Sequence, residues 1–125
     1  MYYLIIGIFL LLVAGAAEGV KDKILFHYER SIFYVWDDEF WNPKNSWINK
    51  YIDRDVSKGE SFRGKYLTFT TDGMHLMKFI ERWSIYFGIF FIGFSWNFGF
   101  LILSLLCAFI ARSITFNLVW KYTDK

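Results

Sequence analysis

This chain contains two uncharged runs, each about as long as a helix, and each is followed by a segment that carries charged residues. No Asp, Glu, Lys or Arg occurs in residues 1–17 or 83–111, and the charges fall in the central segment, 18–82, and the basic tail, 112–125. A helix that crosses the hydrocarbon core needs roughly 20 apolar residues, with about 17 as the lower limit. The pattern predicts an all-α membrane protein with two transmembrane helices and an aromatic-rich, partly helical interfacial segment between them.

The first apolar run has a second interpretation. Ala14, Gly15 and Ala16 resemble the small residues that precede a signal-peptide cleavage site. A secretory signal normally carries Lys or Arg ahead of its apolar core, and neither occurs before residue 18. We therefore expect 1–17 to be a retained helix, with a cleaved signal as the alternative.

The second apolar run is longer than one membrane crossing requires. At 1.5 Å per residue a helix over 83–111 would be roughly 43 Å long, so it must tilt, project or break. Half of the run is too short to span, and unpaired backbone is costly in lipid. We therefore expect one straight, tilted helix. The alternative is a short re-entrant hairpin that breaks among Gly93, Ser95, Asn97 and Gly99.

Helical signals also extend into the central segment from both sides. Glu18, Asp22 and Glu29 recur at helical spacing, which predicts that the first helix continues past residue 17. At the other end, Thr71 or Asp72 can accept hydrogen bonds from the first free amides of a helix. A second helix is therefore expected to begin there and to run into the apolar residues after 82.

Between these helices the sequence predicts shorter elements. Ser46 is placed to cap a short helix over 47–52. The small and polar residues of 53–65 are typical of an exposed loop. Residues 66–70 alternate apolar and polar side chains, which fits either a short strand or extended coil.

The aromatic residues of the central segment are typical of a membrane surface. Tryptophan and tyrosine favour the interface, where one end of the ring is apolar and the other is hydrated. We expect the cluster to lie along the lipid headgroups, with a platform for carbohydrate or lipid headgroups as the alternative. Its members are Phe33, Trp36, Phe40, Trp41 and Trp47.

Charge excludes one class of partner and orients the chain weakly. The net charge is +2, and the basic and acidic residues of 18–82 balance, so a nucleic-acid role has no support. Lys and Arg flank the membrane mostly on the central segment, which places that segment in the cytoplasm. The single cysteine, Cys107, lies in the second apolar run, where packing explains it.

One set of residues could carry chemistry. If both helices continue straight, His27, Asp72 and His75 lie at similar distances from the membrane. With Asp22, Glu18 or Glu29 as possible additions, they would supply the nitrogen and oxygen ligands that zinc or iron accepts. The alternative is structural: Asp72 caps its helix, and Glu18 or Asp22 pairs with lysine or arginine across the two helices. No other cofactor is predicted.

These observations favour a non-enzymatic membrane protein. Two helices bury little surface against each other, and small or polar residues would allow close packing with further copies or a membrane protein partner. We therefore expect an oligomeric or accessory membrane component in the lipid bilayer. A metal-dependent enzyme acting on a lipid or membrane-associated substrate is the first alternative, and a holin-like pore former is the second. The packing candidates are Gly7, Gly15, Gly93, Asn97 and Gly99.

A resemblance accompanies this interpretation. Residues 40–51 and 71–78, preceded by Glu18 and Asp22, resemble an uncharacterised family of small bacterial and phage-type integral membrane proteins. The resemblance implies residence in a membrane. It implies no activity, ligand or residue role.

Overall fold

The computed structural model describes residues 2–94 and 98–124, without the side chains of 98–101 and 104. The chain is 87% helical, and no strand occurs in the described ranges. The predicted all-α class is therefore confirmed. The helices are α1 Tyr2–His27, α2 Asp38–Trp41, α3 Pro43–Ser46, α4 Phe62–Tyr66, α5 Gly73–Gly93 and α6 Phe98–Tyr122, with short 3₁₀ turns between the smaller ones.

Helix α1 continues well past the first apolar run, as predicted. It extends over 26 residues from Tyr2 to His27. By length and composition the stretch Tyr2–Arg30 could cross a membrane, and it is the one such stretch found in the part of the chain that the structure describes. The described residues therefore contain one candidate membrane span, near the N-terminus.

The prediction of one straight helix over 83–111 is wrong. Helix α5 ends at Gly93 and α6 begins at Phe98, so the run is divided between two helices. The prediction assumed that half of the run makes too short a helix. In the structure α5 begins ten residues before the run and α6 continues to Tyr122, so each half belongs to a long helix that includes charged residues. Ser95 and Asn97 lie outside the described residues.

The three long helices form a bundle with α1 between the other two. Gly7 of α1 lies against Gly88 and Ile92 of α5, and Lys21 contacts Glu81, so α1 and α5 are antiparallel. Contacts between α1 and α6 run in the same chain direction: Gly15 meets Arg112, Gly19 meets Phe116 and Lys23 meets Asp124. Helices α5 and α6 are therefore antiparallel, and they contact each other little.

Small residues bring these helices together within one chain. Gly7 and Gly15 are buried, and a Cβ at Gly15 would overlap the backbone carbonyl of Arg112. The sequence suggested that these glycines face a partner. The space beside Gly7 is instead occupied by the chain's own α5, and the space beside Gly15 by α6, whereas Gly93 has open space around it.

The central segment folds into a cap over one end of the bundle. Ile24, Tyr28 and Phe33 form its buried core, and Trp41, Met74 and Met77 pack against them. Trp41 also stacks on Phe33 at 5.1 Å and lies against Gly73. Since Trp41 is half-buried in this core, it is not a surface-lying aromatic, whereas Trp36 and Trp47 are 48% and 49% exposed.

Backbone hydrogen bonds connect the cap to the end of α6. The amide of Ile32 donates to the carbonyl of Thr123 at 3.0 Å, and Ser31 forms a bridge with Asp124. Helix α6 continues through most of the predicted tail. Thr123 and Asp124, which follow it, are part of the fold through their contacts with the cap.

The smaller elements differ in detail from those predicted. Residues 47–50 form a 3₁₀ turn without a side-chain hydrogen bond from Ser46. Residues 66–70 were expected to form either a short strand or extended coil, and they form neither: Tyr66 ends α4, and Thr68–Thr70 form a 3₁₀ turn. The hydroxyl of Thr68 donates to the carbonyl of Gly64. Helix α4 itself occupies part of the predicted loop.

We expect Gly15→Ala to destabilise the bundle. The new methyl group would push α6 away from α1, and overpacking of this kind costs about 1–3 kcal/mol. Gly93→Ala is the matched control, since both changes carry a glycine-to-alanine gain in helix propensity and only Gly15 is packed. Denaturant titration of the detergent-solubilised protein, followed by circular dichroism, measures the difference. Equal unfolding free energies for the two variants would contradict the close packing.

Candidate functional site

Four charged side chains meet inside the bundle where its three long helices converge. Helix α1 supplies Glu18 and Lys21, α5 supplies Glu81, and α6 supplies Arg112. We call this set the ion-paired layer. Its two acids and two bases cancel, so the layer is neutral as a unit.

The contacts in the ion-paired layer are short. Lys21 Nζ lies 2.7 Å from one oxygen of Glu81, and the Arg112 guanidinium lies 3.2 Å from the other. Arg112 also lies 2.8 Å from Glu18. Glu81 is 12% exposed and Arg112 is 21% exposed. Each of the three helices therefore contributes a charge that pairs with a charge on another helix.

The ion-paired layer lies at the end of three uncharged stretches. These are residues 2–17 of α1, 83–93 of α5 and 98–111 of α6. Charges at such a boundary are costly when they lose water and stay unpaired, and pairing removes most of that cost. The layer therefore closes the polar end of an otherwise apolar bundle interior, where Leu11, Ile92 and Ala108 pack.

A second charged contact connects α1 to the chain end. Lys23 is only 2% exposed, and its ammonium donates to Asp124 at 2.8 Å and lies 4.5 Å from the centre of the Trp120 ring. The Lys23 ammonium holds the pKa of the Asp124 carboxyl below its ordinary value of 3.8 by donating this hydrogen bond. The buried cation is thus neutralised by a residue near the C-terminus.

Two of the three predicted metal ligands lie together. Asp72 is 3% exposed and accepts from the His75 amide at 2.8 Å, which confirms Asp72 as the cap of α5. The same carboxylate lies 2.7 Å from His75 Nδ1 and accepts from the Thr71 hydroxyl at 3.0 Å. A buried carboxylate thus fixes the orientation of the His75 ring.

The remaining predicted ligands have other partners. His27 packs edge-on against Trp120 with ring centres 5.0 Å apart. Glu29 pairs with Lys44, Asp22 lies near Lys21, and Glu18 binds Arg112. Across residues 2–94 and 98–124 no group of three His, Cys, Asp or Glu side chains could hold a metal ion. His27 and His75 were expected to meet because they lie at similar distances from the apolar runs. They do not meet, because the His27 ring packs against Trp120 of α6.

Sequence reasoning missed two members of the ion-paired layer. Glu81 was one of many charges in the central segment, and Arg112 was assigned to the tail. A signal existed for Arg112, because it is the only charged residue between 98 and 120. A lone arginine inside a helix that is otherwise apolar calls for an acidic partner on another helix. Its partner Glu18, at the border of the first apolar run, carried the same signal.

Comparisons with known proteins do not bear on the role of this site. No protein-family model, curated protein or solved structure matches the chain. The resemblance to a family of small bacterial and phage-type membrane proteins therefore stays a prediction.

We expect Glu81→Gln to destabilise the bundle strongly. The amide leaves Lys21 and Arg112 partly buried without their shared counter-charge, which costs about 3 kcal/mol, the low end for buried pairs. Glu29→Gln is the matched control, because the Glu29 pair is 75–78% exposed and such pairs contribute at most about 1 kcal/mol. Chemical denaturation in detergent provides both values. A loss for Glu81→Gln no larger than that for Glu29→Gln would contradict the central role of Glu81.

We expect the contact of Asp124 with Lys23 to make stability depend on acid pH. A carboxyl whose folded pKa is lowered stabilises the fold above its unfolded pKa, and this contribution is lost as the pH falls through the folded pKa. Asp124→Asn should therefore lower stability at neutral pH and flatten its decline below the ordinary value of 3.8. Unfolding curves of the wild type and the variant at a series of acid pH values test this. Parallel pH profiles would refute it.

Proposed function

We propose that this chain is an integral membrane protein whose three long helices lie in the bilayer, and that it acts without catalysis as an accessory or oligomeric membrane component. One observation carries the proposal. The bundle presents large apolar side chains outward and keeps the charges of the ion-paired layer inside. This distribution suits lipid as the solvent, because charges within a bilayer must be paired within the protein.

The outward faces support this proposal on all three helices. Phe9 of α1, Phe90 of α5 and Ile110 of α6 are 61%, 54% and 62% exposed. Residues of this size are seldom exposed in such numbers on a water-soluble monomer, where contiguous apolar patches stay small. Helix α6 adds a length argument, since Arg112 is the only charge in the 23 residues from Phe98 to Trp120.

The cap supports a position at the membrane surface. It carries most of the charged residues, and its exposed pairs, such as those of Lys44 with Glu29 and Lys58 with Asp53, face water. The exposed Trp36 and Trp47 suit the headgroup region. In this proposal the cap faces the cytoplasm, on the basis of its basic flanks, and α1 is retained, because the ion-paired layer needs Glu18 and Lys21.

The shape of the bundle supports assembly with further helices. Helices α5 and α6 both pack on α1 while contacting each other little. A small pocket of about 30 Å³ lies between them and is lined by Leu11, Ile85, Ile89, Leu105 and Phe109. Ile89 and Phe109 are 44% and 59% exposed, and a helix of a second copy or of a membrane partner would cover these two side chains.

We expect the protein to resist extraction from membranes by alkaline carbonate and to form complexes larger than its 15.0 kDa monomer. Cys107 is the single cysteine and is exposed on α6, so oxidation in native membranes should cross-link chains whose α6 helices meet. Cys107→Ser is the control and removes the cross-link.

Two readouts separate the parts of the proposal. Release of the protein by carbonate would contradict membrane insertion. A strictly monomeric particle in light scattering, with no associated protein, would contradict the accessory or oligomeric role and leave insertion intact.

A further inference from the structure

A groove of about 560 Å³ lies beside the cap end of α5. One wall is formed by His75, Lys78 and Arg82, which follow each other along α5, and the other includes Tyr66 and Phe69. Its volume is within the range of small-molecule sites, about 300–1,000 Å³. None of the four residues of the ion-paired layer lines the groove.

The two strong bases of this groove have no counter-charge. Within the described residues Lys78 and Arg82 make no ion pair and no side-chain hydrogen bond. The carboxylates nearest to them in α5 are already engaged, since Glu81 is bound by Lys21 and Arg112, and Asp72 is bound by His75. The groove therefore presents two positive charges to whatever enters it.

Aromatic side chains line the groove beside its two bases and continue along α5 past Arg82. Phe79 stacks on Phe69 with ring centres 4.2 Å apart, and Trp83 and Tyr86 extend the wall along α5. Trp83 is 46% and Tyr86 62% exposed, and both belong to the uncharged part of α5. A basic end that leads into an exposed aromatic wall suits a molecule with an anionic head and an apolar tail.

His75 adds a hydrogen-bonding group. Its Nδ1 lies 2.7 Å from the Asp72 carboxylate, and an ionised carboxylate can only accept. Nδ1 therefore carries the hydrogen of this contact, which leaves Nε2 for a ligand. A hydroxyl group suits Nε2 in either charge state of the ring, because a hydroxyl can both donate and accept.

We propose that this groove binds the headgroup of an anionic phospholipid that carries hydroxyl groups, of which phosphatidylglycerol is a simple example. The phosphate lies between Lys78 and Arg82, a headgroup hydroxyl forms a hydrogen bond with His75 Nε2, and an acyl chain follows Trp83 and Tyr86. The inference rests on the membrane insertion proposed above and adds the class of lipid that the protein selects.

The test uses the full chain, reconstituted in nanodiscs of phosphatidylcholine with a minority of phosphatidylglycerol. Native mass spectrometry counts the retained lipid, and titration in detergent measures its affinity. The wild type should retain phosphatidylglycerol in preference to phosphatidylcholine. The double variant Lys78→Gln/Arg82→Gln should bind it roughly 20-fold more weakly, as expected for the loss of two cations near a lipid phosphate.

A control variant separates the groove from general surface charge. Arg30→Gln/Lys121→Gln removes the same charge from exposed positions outside the groove and should retain the lipid like the wild type. Since Lys78 and Arg82 pair with no described residue, the groove variant should not alter the helical circular dichroism spectrum, and the same spectrum checks that the control variant is folded.

A second comparison tests the hydroxyl contact. Phosphatidylmethanol has the same charge as phosphatidylglycerol and no headgroup hydroxyl. The wild type should bind phosphatidylglycerol several-fold more tightly than phosphatidylmethanol. His75→Ala should lower the affinity for phosphatidylglycerol to that for phosphatidylmethanol and leave the affinity for phosphatidylmethanol unchanged.

Three results would overturn the inference. Equal loss of lipid in the groove variant and the control variant would show that only net charge matters. Displacement of the lipid by soluble glycerol phosphate at equal concentration would identify a water-soluble ligand instead. A chain that stays outside the nanodisc would overturn the proposed membrane insertion as well, whereas the first two results leave insertion intact.

Discussion

Lys21 of α1 and Arg112 of α6 bind different oxygens of one carboxylate, that of Glu81 on α5. A partly buried charge that loses its partner is costly, so these contacts tolerate little displacement. One helical turn is about 5.4 Å, so sliding any helix by a turn would break them. The carboxylate therefore helps to set the register of the three helices, together with the contact of Gly15 with Arg112 and the ion pair of Lys23 with Asp124.

The cap depends on the same register. Because α1 and α6 run in parallel, their cap ends lie together, and Lys23 can reach Asp124 while Ile32 pairs with Thr123. The start of α5 is held from the other side, where Trp41 covers Gly73. The groove beside the cap end of α5 depends on this arrangement, since Tyr66 and Phe69 belong to the cap and line the groove together with residues of α5.

Local chemistry was predictable from the sequence, and long-range pairing was not. The extension of α1 followed from helical spacing, and the cap at Asp72 followed from side-chain chemistry. The straight helix over 83–111 was preferred to a break among Gly93, Ser95, Asn97 and Gly99 because the length argument counted only uncharged residues, whereas α5 and α6 are lengthened by charged residues such as Glu81 and Arg112. The groove could not be predicted from the sequence either, because the sequence does not show which basic side chains lack an acidic partner in the folded chain.

The order of the pairing residues along the chain has a consequence for biogenesis. Glu18 and Lys21 leave the ribosome long before Glu81, and Arg112 comes last. In the proposed membrane-inserted form, Glu18 enters the bilayer before its partner Arg112 has been made, which favours a shallow position of α1 until α6 arrives. Insertion of α1 to its final depth would then be coupled to synthesis of α6. A chain truncated before α6 would leave α1 poorly inserted and exposed to membrane proteases.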